Sequence, residues 1–263
     1  MRTGAGLFTG KRSVARFGAL ARRAEVGGLA RRRNAIHAEL VNFVSHAAVA
    51  SWYDASPAFV LGAMLPDFFG MLALRPAPLR AEGPLARGIA FHHLSDAAFH
   101  DAPAFLALTR DARKALMDAG VRKGPARAVA HIGVELLLDP ALLADAGARA
   151  AYTAALDAAP RLGHELGFDR TDEQRLIDLA GVIRARGISA DAQSPDTLVA
   201  RIRRALSDRP RLALDDEAED AVRNWVVATQ ASIVGCASDV VRQVLSQLDG
   251  RGFGHAKRGV SFS

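Results

Sequence analysis

Apolar residues recur at helical spacing along most of this chain, and no stretch alternates with period two over a strand's length. Residues 36–53 (IHAELVNFVSHAAVASWY) open the pattern. Ser56-Pro57 then offers a capping residue and a proline whose fixed φ suits a first helical turn, which predicts a second helix through about Leu74. Three prolines and a glycine between Arg75 and Pro84 read as a loop. Helices are predicted near 85–100, 103–119 and 124–138, separated by Asp101-Ala102-Pro103 and by Gly120 and Gly124-Pro125. Asp139-Pro140 reads as a further break. More helices follow between 141 and 206, and 215–248 reads as one long helix. Residues 250–263, rich in glycine and basic groups, are expected to fray as a flexible tail. The pattern predicts an all-α fold: a single-domain bundle of about seven or eight helices over residues 36–249.

One segment tests that reading. Pro57–Leu74 carries Asp67 as its one charge over 18 residues, a marginal length for a membrane span. A carboxylate at bilayer depth costs ~3 kcal/mol or more, so a buried helix, broken near Pro66, is expected and no membrane span. An acid inside such a helix demands a partner.

Composition agrees. Half the residues are hydrophobic and 24% are charged, as in an ordinary soluble protein. The lone Cys236 excludes an internal disulfide and fits a reducing, cytoplasmic setting. No histidine stands near it in sequence, and it reads as a core residue. Charge is uneven: residues 1–33 hold nine basic side chains against Glu25, while the whole chain carries +6, so the body is slightly acidic. A nucleic-acid partner is therefore not expected. The basic head, 1–35, reads as a disordered arm without the apolar core of a signal peptide.

The chemistry lies between residues 46 and 139. Five of eight histidines (His46, His92, His93, His100, His131) share apolar segments with Asp67, Asp96, Asp101, Glu135 and Asp139. His92 and Asp96, Asp96 and His100, and His131 and Glu135 are each four residues apart, on one helix face. Singly, each such pair reads as a local hydrogen bond. Together they let four helices point ligands at a common cation, as helix bundles do. An imidazole and carboxylate set without thiolate suits a divalent metal, Mn, Fe, Zn or Mg. No phosphate loop, nucleophile elbow or cysteine pair competes with this reading.

Several stretches, in order, carry a family resemblance. Asn42-Phe43-Val44-Ser45-His46 resembles the opening MNFLAH of bacterial acyl carrier protein phosphodiesterases. Leu61–Phe68 (LGAMLPDF) is similar to their GNLLADF, and Gly88–Asp101 (GIAFHHLSDAAFHD) to their GI-x-x-HR-x-ID-x-x-TD. Ile132–Leu138 lines up with VMWDHFL, and Arg209–Leu212 with a late RPRL.

The resemblance implies an all-helical fold related to the His-Asp metal-dependent phosphohydrolases. It implies hydrolysis of the phosphodiester joining 4′-phosphopantetheine to a serine of holo-acyl carrier protein, with a divalent metal such as Mn2+. Asp67, His92 and Asp96 would form the site, with His46 close by. This chain has His93 for the family's arginine, His100 for its threonine and Glu135-Leu136 for its Asp-His, while His100 and His131 could rebuild a ligand set. The expected metal ligands are thus His46, Asp67, His92, Asp96, His131 and Glu135, and the expected catalytic residues Asp67, His93 and His100. Arg87 and Arg127, within a basic stretch from 75 to 127, are expected to bind substrate, with acyl carrier protein as the partner. Another phosphoester substrate, or a catalytically silent carrier-binding module, are the alternatives. The resemblance also predicts that translation begins at Val41, through a GTG start.

Overall fold

Helix α1 (Phe43–Tyr53) is apolar on every side, and Val44 is the one residue of its eleven that is not buried. A helix of that kind belongs at the centre of a bundle, and α1 lies against α2 (Pro57–Leu72), α3 (Pro84–His100), α5 (Lys123–Leu142) and α6 (Ala146–Leu162). The computed structural model describes residues 43–75, 83–142, 144–187, 193–249 and 251–256, all within one compact unit, Ile36–Ser263. The expected head, the start of the first helix at 36–42, the Val41 start and most of the 75–84 loop lie outside the described residues.

The closest helix crossing joins α2 to α3. Gly62 and Gly88 face each other there, so that the two backbones touch where any side chain would keep them apart. Helix α4 (Pro103–Asp118) packs on α5, which also meets α8 (Pro195–Leu206) and α9 (Asp216–Gly235). Helix α7 (Arg170–Arg186) covers α6, and α10 (Ala237–Leu248) returns onto α3 and α4. Side chains of Asp145, Asp169, Ser194 and Asp215 cap the starts of α6 to α9 in turn, accepting hydrogen bonds from first-turn amides.

The fold is all-α, with ten α-helices and no strand among the described residues. No helix there is long and apolar enough to cross a membrane. The helix count exceeds the expected seven or eight. The expected 215–248 helix is two, parted at Cys236, whose backbone ends α9 and opens α10. Cys236 is half-buried at this joint and is not a core residue. In the other direction, α2 runs unbroken through Pro66 and α5 through Pro140. Buried leucines flank both prolines (Leu61 and Leu65; Leu136–Leu138 and Leu142), and this packing outweighs the lost hydrogen bond. Past α10, Phe253 sets its ring 5.2 Å from that of Phe91, and residues 257–263 of the expected tail lie outside the described residues.

A buried polar tie joins α1, α5 and α8. Ser45 Oγ donates to Asp139 Oδ1 at 2.7 Å, and Arg201 Nη2 lies 4.0 Å from Asp139 Oδ2. Burial pushes the Asp139 carboxyl up to about 6, against the opposing pull of Arg201 and Ser45.

Candidate metal centre

Four helices bring the polar residues together: α1 with His46, α2 with Asp67, α3 with His92, Asp96 and His100, and α5 with His131 and Glu135. One ligand atom from each of His46, Asp67 and His92 lies within 4.8 Å of the others. This group is mostly interior, with His46 and His92 buried and Asp67 half-buried.

Hydrogen bonding fixes which nitrogen each imidazole presents. His92 Nδ1–H donates to the Ala63 carbonyl on α2 at 2.9 Å, which leaves the Nε2 lone pair for the site. Ser95 Oγ spends its proton on the His92 carbonyl at 3.0 Å. It can then only accept at its other contact, so the bond of 3.0 Å to His46 comes from His46 Nδ1–H. His46 too is left with Nε2 free. Metal-ligating histidines are oriented in this way by partners on the far ring nitrogen. Burial, and then the neighbouring His92, lower the His46 pKa well below its ordinary value. Burial lowers that of His92 as well. Both rings are neutral at pH 7, the form that binds cations.

A second group, His100, His131 and Glu135, meets the same 4.8 Å limit. Glu135 Oε1 is 3.2 Å from both His100 Nε2 and His131 Nε2. Asp96 stands between the two groups: Oδ1 lies 3.9 Å from His46 Nε2, and Oδ2 lies 3.4 Å from His100 Nδ1. Burial disfavours the Asp96 charge, but the hydrogen bond and charge of His100, with His46 and His92, hold its carboxyl below the usual range. His100 answers by rising to about 10, through its hydrogen bonds to Asp96 and then Glu135. The cluster opens to solvent on this side, where the side chains of Asp96 and His131 are 41% and 45% exposed.

Five of the six expected ligands thus fall into two adjacent groups instead of a single ring around one cation, with Asp96 between the groups and His100, expected as a catalytic residue, completing the second. The reason is geometric: α5 approaches α3 a full two turns after His92, at His100. Two other expectations change. With both nitrogens engaged by carboxylates, the protonated His100 has no free N–H for a substrate. Arg87 is turned to Asp54, at 4.0 Å, and to the face of Phe59, and so is not at the cluster. His93 is exposed, edge-on to the His92 ring, and Arg127 is exposed one turn before His131 on α5. His164 and His255, expected at the surface, are exposed. Sequence reasoning missed Ser95, which sets the His46 tautomer. Its place three residues after His92 was the available signal.

These charges make acid stability a test of the site. Without metal, His46 and His92 are expected to draw stability down as pH falls from about 7 to 5. His46 and His92 have depressed folded pKa values, so their stabilising contributions are full above the unfolded value of 6.5 and vanish as pH drops. His100 and Asp139, raised in the fold, act oppositely: the contribution of His100 is full below 6.5 and is lost as pH rises toward about 10, and that of Asp139 is largest in acid and is lost as pH rises through about 6. In thermal melts of chelator-treated protein, His92→Gln, one proton fewer, should lose less stability than wild type over that range. Equal slopes would mean that His92 is not held neutral.

No protein-family model, no curated protein and no solved structure matches this chain.

Proposed function

We propose that this protein is a metal-dependent phosphodiesterase that cleaves phosphopantetheine from the serine of holo-acyl carrier protein. One observation carries the reading. Four of the five stretches that resemble the phosphodiesterase family, around His46, Asp67, His92 to His100 and Glu135, supply the cluster. The side chains suit a divalent cation: two imidazoles held neutral by burial, and a carboxylate beside them. His46 Nε2, His92 Nε2 and Asp67 would hold it, with Mn2+ the expected ion and Fe2+, Zn2+ or Mg2+ compatible with the same donors. Such a cation supplies charge against the phosphate oxygens and activates water.

The protein's own groups do the rest. Nδ1 bonds to Ala63 and Ser95 hold both rings in place before substrate arrives, so little reorganisation remains for the reaction. Asp96, at the opening, is ionised and is placed to orient an attacking water. Exposed His93 can exchange a proton with the departing serine oxygen. Exposed Arg127, on the His131 face of α5, offers a fork for a phosphate or an acidic carrier surface. His93 itself favours a second reading. Where the family has an arginine for phosphate, this chain has an imidazole, which suits a smaller or less charged phosphoester.

Incubation of holo-carrier protein with the Mn2+-loaded enzyme tests both readings. Mass spectrometry should show loss of the phosphopantetheine mass from the carrier. Turnover of simple phosphodiesters alone would support the second reading, and no turnover of either, with metal bound, would leave a silent binding module.

A further inference from the structure

We propose that the protein holds two divalent cations side by side, the second bound by His100 Nε2, His131 Nε2 and the carboxylate of Glu135. This goes beyond the single-cation reading and does not depend on the substrate. The first argument is spacing. Two ligands on one cation, each bonded at ~2.1 Å, lie ~3.0–3.4 Å apart along the edge of a tetrahedral or octahedral shell. Glu135 Oε1 stands 3.2 Å from each of the two imidazole nitrogens. That is long for a charge-assisted N–H···O bond, and it is the edge a cation would set.

The second argument is burial. The Glu135 side chain is 5% exposed, while the histidines that face it are 33% and 45% exposed. A carboxylate so placed needs a positive partner; the His100 ring meets that need without metal, and a cation entering from the open side would take its place.

Third, the orientation of His100 matches that of the first group. Its Nδ1 faces Asp96 Oδ2 at 3.4 Å, the carboxylate partner that aims a ligating imidazole from behind. Nδ1 keeps its proton for Asp96, and the proton on Nε2 leaves as the cation takes the lone pair. Asp96 thereby joins the two centres, with Oδ1 toward His46 and the first cation and Oδ2 toward the ring that holds the second. Each centre then has the same donors, two imidazoles and a carboxylate.

Metal counting on the full chain tests this. Chelator-stripped protein, reloaded with Mn2+ and desalted, is expected to carry two ions per chain by elemental analysis. Electron paramagnetic resonance of the acid-released metal should count the same two Mn2+ per chain. His131→Ala, at a half-exposed position, and Glu135→Gln should each retain one ion, with circular dichroism reporting an intact fold. One ion in the wild type, or two in folded His131→Ala, overturns the second centre. If that single ion is lost in Asp67→Asn and kept in His131→Ala, the first centre stands. No bound ion in the wild type overturns both.

Discussion

Gly88→Ala is expected to remove the cooperative folded state or to lower its melting temperature by ~10 °C or more. A Cβ on Gly88 would penetrate the carbonyl oxygen of Phe59 and sit 2.9 Å from Gly62 Cα and 3.0 Å from Ala63 N. All three are backbone atoms of α2, so no side chain can rotate away. The helices must part along their tightest crossing, with loss of packing on both sides. Overpacking typically costs ~1–3 kcal/mol where side chains can adjust, and here they cannot. Against a total stability of ~5–15 kcal/mol, a loss of ~3 kcal/mol corresponds to about 10 °C in a chain of this size. Gly62→Ala should behave alike, because its Cβ would run into Leu85 O and Gly88 Cα. Gly70→Ala, in the same helix, is the control. Nothing lies within 4 Å of the added methyl, and a helical alanine gains ~0.5–1 kcal/mol over glycine. Thermal melts followed by circular dichroism should separate the three variants clearly. A Gly88→Ala melt within a degree or two of wild type would show that α2 and α3 do not cross in contact.

That crossing also assembles the candidate site. One residue beyond Gly62, the Ala63 carbonyl accepts the hydrogen bond from His92 Nδ1, one turn beyond Gly88. Asp67 follows one turn further along α2 and reaches the same point as His92 Nε2. A separation of the helices by the width of a methyl group would therefore draw carboxylate and imidazole apart. Partly folded Gly88 variants should lose metal affinity before they lose helix content.

The sequence made the helices and the ligand-bearing faces legible because both are local. Spacing of three and four residues placed His92, Asp96 and His100 on one side of α3, and His131 with Glu135 on one side of α5, where they are found. Asp67 stood out as a carboxylate in an apolar stretch. What could not be read depends on contacts between distant segments. The prolines at 66 and 140 carry a local penalty, and the leucines that outweigh it are buried only by neighbouring helices. The tie of Asp139 to Arg201 spans sixty-odd residues and two helices, with no periodicity to announce it. The split of one ligand set into two depends on where α5 meets α3. No spacing within either helix records that.

Asp67→Asn is the substitution expected to cost most activity while leaving the fold in place. Asparagine keeps the size of aspartate and can still accept a hydrogen bond, so the half-buried position on α2 is filled as before. Only the charge goes. An amide oxygen is a much poorer donor to a hard cation than a carboxylate, and two neutral imidazoles alone give a weak site. Loss of the cation and of its field on the phosphate should lower kcat/KM by ~10³-fold or more, about 4 kcal/mol of transition-state stabilisation. The melting temperature of metal-free protein should change little, because burial and helix packing are untouched. The metal-dependent rise in melting temperature should shrink, since less cation binds to the folded state. Raising Mn2+ should restore part of the activity if the residue acts by holding the ion. Activity unchanged across that range in Asp67→Asn would take the carboxylate, and the hydrolase proposal with it, out of the centre.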